Sequence, residues 1–246
     1  HRSICTSYIV MLGLGSGLSS SSSISSGLTS ITTDLDFWFK NDSGVAVGKW
    51  ADSSGNANHA IQTGEDNQAA LNATGGLHFT SASTVDHYDI TKVTVPINTG
   101  FAFAAVVNCD SVSTSTLISD TSSERVQFKD GDEILVTCKR ADGDPTETVL
   151  KAATGTPFPF SGNGKMLILI NRSDGASGVW TVYKDGTLVT LHASSANEAA
   201  GENIEAIEID AVGVEGGGAR GFDGDIDELA FWNKGLSAAE IADVNS

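Results

Sequence analysis

The sequence predicts an all-β domain, two antiparallel sheets packed as a jelly-roll sandwich, with an extended Ser/Gly arm before it and a short helix closing it. Three observations carry this. Twelve short strand-like runs recur between residues 35 and 232 with turn signals between them, the spacing of a sandwich and not of alternating strand and helix. The chain has 246 residues with 27 Gly, four Pro and few long helical patterns, and sandwiches reach about 200–250 residues without dividing. Finally, residues 221–241 read as one buried strand leaving a glycine turn and running into a capped helical turn.

Residues 1–33 form the predicted arm, where Ser, Gly and Thr dominate and Ser19 to Ser23 is an unbroken serine run; residues 34–246 form the sandwich. The arm buries too little apolar surface to make a core of its own. Its run from Tyr8 to Leu14 follows Arg2 as a secretory segment would, but its glycine and the lack of a small-residue cleavage site argue against one. The run is also too short to span a bilayer. Strands are then expected at 35–40, 84–90, 101–109, 115–118, 125–128, 134–138, 146–150, 165–170, 179–184, 188–191, 204–214 and 222–232, each between turn signals. Lys184-Asp185-Gly186-Thr187 marks the clearest hairpin, because Asp-Gly accepts the positive φ values of a type I′ turn. Ile226 to Trp232 is apolar except for Asp227 and Glu228, which suits a central strand with one charged end near a rim. Asn233-Lys234-Gly235 ends it, and Ser237 with Glu240 three residues on caps a helix over 238–244 with Leu236 and Ile241 facing inward.

The closing segment, with its glycine, Asp-Glu, aromatic-Asn-basic step, Leu-Ser and Glu-Ile in order, resembles the end of LamG-like, concanavalin A-like jelly-roll domains. Asp36-Phe37-Trp38-Phe39-Lys40 and the turn from Trp50 to Ala60 (Trp-Ala-Asp-Ser-Ser-Gly-Asn-Ala-Asn-His-Ala) are similar to that family's opening strand and its following turn. Gly76 to Phe79, Phe101 to Val107 and Trp180 to Gly186 resemble interior strands and a hairpin of the same family. The resemblance spans residues 34–246.

Charge narrows the partners. Fourteen basic side chains against 31 acidic ones give a formal charge of −17, which repels phosphate backbones and anionic membranes; nucleic acid and membrane insertion are excluded as expectations. The three cysteines, Cys5, Cys109 and Cys138, cannot all pair within one chain, and reduced, buried thiols are the expected state. A Cys109–Cys138 bridge stays open if their strands are adjacent.

Residue positions bear on three chemistries. Glu205 to Gly213 resembles the Glu-x-Asp-x-x-Glu strand of laminarinase-type glycosidases, which need two carboxylates in one cleft. Here Gly213 stands at the second acid and Glu215 falls two residues late, so no catalytic residue is assigned and the chain is expected not to be an enzyme. The alternative is an edge strand with Glu205 and Glu208 facing solvent. The family resemblance also implies a structural calcium, for which Asp52, Asn58, Asp225 and Asp227 match in kind, since calcium takes several oxygen ligands. Against this, Asp52 and Asn56 would simply stabilise an Asx-type turn. A glycan site is assigned to Trp50 and His59, because Trp50 alone among the tryptophans falls in an expected loop. No phosphate loop, nucleophile elbow or zinc helix is present in the sequence.

The functional expectation is a non-catalytic structural or display protein. Glycine-rich starts such as Met11 to Leu18 joined to such a domain resemble virion proteins of tailed bacteriophages, capsid decorations and fibres. That resemblance implies a virion location, an oligomer or assembly-bound state, other subunits contacted through residues 1–33, and adhesion to host polysaccharide. The alternative is a secreted or cell-surface carbohydrate-binding module.

Overall fold

The computed structural model describes residues 31–81, 85–96, 99–111, 114–120, 124–130, 133–140, 145–152, 164–175, 178–192, 204–215, 218 and 220–245. The arm up to residue 30, and Cys5 with it, lies outside them. The described strands are, in order, β1 (Leu35–Phe39), β2 (Val45–Ala46), β3 (Lys49–Trp50), β4 (Ala60–Ile61), β5 (Ala70–Leu71), β6 (Leu77–Phe79), β7 (Tyr88–Pro96), β8 (Phe101–Cys109), β9 (Ser115–Ser119), β10 (Arg125–Asp130), β11 (Glu133–Arg140), β12 (Pro145–Lys151), β13 (Met166–Arg172), β14 (Trp180–Lys184), β15 (Thr187–Leu188), β16 (Ile204–Val212) and β17 (Gly224–Trp232), followed by helix α1 (Ala238–Val244). Sheet one runs β15-β14-β13-β8-β17-β6-β5, with β1 sharing the β6 side of β17; sheet two runs β12-β11-β10-β9-β16-β7-β4-β3-β2. This is the expected all-β sandwich of two antiparallel sheets.

Two apolar layers explain the strand sequences. Phe101, Phe103, Ala105 and Val107 of β8 face the core between the sheets, together with Leu229 and Phe231 of β17. Ala102, Ala104 and Val106 face the other way, into a second layer with Trp38, Trp232, and Leu236, Ile241 and Val244 at the helix. A strand covered on both faces has no polar alternation, which is why 101–107 and 229–232 read as continuous apolar runs. Ile31 joins the outer layer at 2% exposure, and its carbonyl accepts a 3.1 Å hydrogen bond from Trp232 Nε1.

The local signals at the C-terminal end hold. Ser237 and Glu240 form both halves of the capping box on α1, and Asp185 (φ 48°) with Gly186 (φ 76°) takes the left-handed pair that the hairpin demands. Other boundaries move. The strand expected at 84–90 begins at Tyr88 and runs to Pro96; ahead of it, Asp86 Oδ2 is engaged by Thr80 N at 2.8 Å and Thr80 Oγ1 at 3.0 Å. β16 is central, between β9 and β7, so the edge-strand alternative for Glu208 is corrected. Cys109 and Cys138 are buried thiols on different sheets, β8 and β11; strand adjacency, the condition for a bridge, is not met.

Candidate functional site

The opening turn is built around Asp52. Its Oδ1 accepts from Trp38 N at 2.9 Å and Ser54 N at 2.8 Å, and its Oδ2 from Ser54 Oγ at 2.7 Å and Asn58 N at 3.0 Å. Asn58 Nδ2 donates to Asp36 O at 2.8 Å, and His59 Nδ1 accepts from Asp52 N at 3.0 Å. The turn therefore satisfies itself, as the Asx alternative required. Asp36 beneath it is pushed up to about 6, first by burial and then by Asp34. Trp50 requires a correction: it is 0% exposed in the inter-sheet core, with Nε1 donating to Lys40 O at 2.8 Å. It presents no face to a sugar, and His59 is engaged in the turn. The indole belongs to β3, a two-residue strand too short to show in the sequence.

Asp225 and Asp227 have other partners. Asp225 Oδ1 meets His78 Nδ1 at 3.0 Å. Asp227 sits where the β8–β17 register shifts; its Oδ1 accepts from Asn72 Nδ2 at 2.8 Å and Thr74 Oγ1 at 2.6 Å, and its Oδ2 pairs with Lys165. The four residues expected to hold calcium thus fall into three separate sets, Asp52 with Asn58, Asp225 with His78, and Asp227 with Asn72, Thr74 and Lys165, and the Asp52 oxygens already take four protein donors. As arranged they do not fit one shared cation. Glu228, 3% exposed on the outer face of sheet one, is pushed up to about 7 by burial against the pull of Trp38 and Lys40.

Sequence reasoning missed a carboxylate cluster formed by Asp120, Glu124 and Glu208. Ile207 and Ile209 of β16 enter the core, so Glu208 and Asp210 stand on the outer face of sheet two. The β9–β10 connection brings Asp120 and Glu124 beside them, and one oxygen each of Asp120, Glu124 and Glu208 lies within 4.8 Å of the others. Lys92 of β7 pairs with Glu208 Oε2 at 2.8 Å and approaches Asp210 Oδ2 at 3.8 Å. Burial, reinforced by Asp120, pushes Glu124 up to about 7; burial also raises Asp210, against the pull of Lys92. Such a group can share a proton or hold a cation. Asp120 and Glu124 lie about 90 residues before Glu208 in the chain, and only the β9–β16 pairing joins them. The one signal was the Glu208-x-Asp210 alternation.

The chain position where a second carboxylate would stand is closed from the core side. Gly213 has φ +84°, and a Cβ there would lie 2.4 Å from Phe79 Cε1. Glu215 instead accepts from Arg125 at 3.1 Å and Arg220 at 2.9 Å. Among the described residues, no helix is long and apolar enough to cross a membrane.

A family model described as the concanavalin A-like lectin/glucanases superfamily (Laminin_G_3) matches residues 81–242. No curated protein matches the chain by sequence. Among solved structures, the binding domain of Paraclostridial Mosquitocidal Protein 1 aligns at TM-score 0.57 and 16% identity over 86% of this chain and 52% of its own. The binding domain of botulinum neurotoxin DC, solved with rat synaptotagmin II, gives 0.56 and 12% over 86% and 51%. Botulinum neurotoxin type C, whose uptake depends on interaction with two ganglioside molecules, gives 0.56 and 13% over 87% and 51%. The chain spans about half the length of these structures, and at these identities they show the shared fold.

Proposed function

We propose, from the premise that the chain belongs to the concanavalin A-like lectin/glucanases superfamily, that it is a non-catalytic glycan-binding module displayed on a larger assembly. The observation that carries the non-catalytic half is Gly213: the position of the second carboxylate has a left-handed backbone and a phenyl ring where a side chain would begin. Glu208 is left ion-paired to Lys92, beside a Glu124 that is 0% exposed and so out of a polysaccharide's reach.

Support for the glycan half comes from the family and from neighbours that are toxin binding domains, one of a toxin dependent on gangliosides. The −17 charge favours neutral over anionic glycans. For display, the support is the Ser- and Gly-rich sequence of residues 1–30, proposed as the mooring, which joins the described chain at Ile31 in the outer layer of sheet one. A virion surface is the first location proposed and a secreted or cell-surface setting the second; calcium has no part in this reading. Applied to an array of neutral and acidic glycans, the intact chain is expected to be retained by a neutral subset. Retention by none overturns the glycan reading.

A further inference from the structure

Three connections meet at one end of the sandwich: β6–β7, β8–β9 and β16–β17. Between them opens a cavity of about 190 Å³ whose polar wall is Ser81, Ser111, Thr114, Ser115, Arg220 and Asp223. At roughly 30 Å³ per water, it has room for about six waters. Gly221 lets the β16–β17 connection close against the β6–β7 connection, since a Cβ there would stand 2.5 Å from Val85 Cγ1.

Several of these polar groups are uncommitted. The Asp223 carboxylate and the Ser81 and Thr114 hydroxyls have no hydrogen-bond partner among the described residues. Ser115 Oγ donates to Ser111 O at 3.0 Å. Arg220 is held in place by Glu215, at 2.9 and 3.2 Å through one terminal nitrogen, which leaves its other N–H groups to donate. Two wall residues also have left-handed backbone, Thr114 at φ 59° and Arg220 at φ 50°. A β-branched residue rarely takes that conformation, and strain of this kind persists where the surroundings fix it, often at binding sites. Backbone bonds fix both: Thr114 N donates to Lys129 O at 3.3 Å and Thr116 N to Arg220 O at 3.2 Å.

We infer that this cavity binds one pyranose unit of a neutral glycan. Hydroxyl groups that both donate and accept, one carboxylate acceptor and one guanidinium donor match the alternating donors and acceptors of vicinal sugar hydroxyls. An anion would face Asp223, Glu215 and the chain's −17 charge; a simple cation would face Arg220. The inference rests on the glycan-binding reading and gives it a site. With no aromatic residue in the wall, a single sugar binds weakly.

The test uses the intact chain and its amide NMR spectrum, titrated to tens of millimolar with methyl β-D-galactopyranoside, methyl α-D-mannopyranoside, methyl α-D-glucopyranoside and, as the acidic comparator, N-acetylneuraminic acid. One of the neutral glycosides is expected to give saturable shifts around residues 110–115 and 220–224. Asp223→Asn, which removes no contact within the described protein, should weaken it by about tenfold or more. Thr114→Gly should weaken binding while raising Tm, because glycine relieves the left-handed strain. Neutral-glycan binding undiminished in both variants overturns the site and leaves the glycan reading standing. Binding of the acidic sugar alone overturns the ligand class, and no binding of any sugar or arrayed glycan overturns both.

Discussion

A carboxylate cannot replace Gly213 unless Phe79 moves. Gly213→Glu restores the residue type of the related glycosidases, yet it places a Cβ 2.4 Å from the ring on a backbone at φ +84°. It is expected to lower stability by about 2–4 kcal/mol, seen as a Tm loss of roughly 4–16 °C, without any release of reducing ends; hydrolysis by this variant contradicts the account. Buried acids set the pH response. Glu124 and Glu228 rise from 4.5 to about 7, and Asp36 from 3.8 to about 6. Their folded values lie above the unfolded ones, so their contribution is full below the unfolded values and is lost as pH rises through about 6 to 7. Thermal melts should therefore give a Tm that falls between about pH 5 and pH 8, and Glu228→Gln should flatten that slope. A Tm that climbs over this range contradicts the assignment. The identity of Gly213 was legible in the sequence. Its steric closure was not, because Phe79 arrives from the other sheet.

Among the elements, β17 and α1 were legible because their signals are local: a run buried on both faces, a three-residue stop, and a cap whose two partners lie three residues apart. The two-residue strands β2 to β5 carry no periodicity to read, and that is how Trp50 was expected in a loop. The opening turn shows the same limit. Its Asp-x-Ser spacing announces an Asx turn, but nothing local shows that Trp38 N closes on the same carboxylate. Asp52→Ala removes the acceptor of four hydrogen bonds and is expected to cost about 3 kcal/mol. Because those donors are protein groups, EDTA should leave the Tm of the unaltered chain unchanged; a drop with EDTA that calcium restores would show a cation in this turn.

For the whole molecule, composition and turn spacing fixed an all-β sandwich, and strand pairing alone fixed which residues meet. Asp120 and Glu124 reach Glu208 through β9–β16, and the three connections around Asp223 meet only when both sheets are in register. What results is a sandwich with a closed acid position, a largely buried carboxylate cluster and a polar cavity at one end, the features on which the proposal of a module that holds a glycan without cutting it rests. The most direct test incubates the intact chain with the glycan it retains best from the array and follows both bound ligand and new reducing ends over a day. The account predicts saturable retention with no release above a protein-free control. Steady release of reducing ends, abolished by Glu208→Gln, would contradict it.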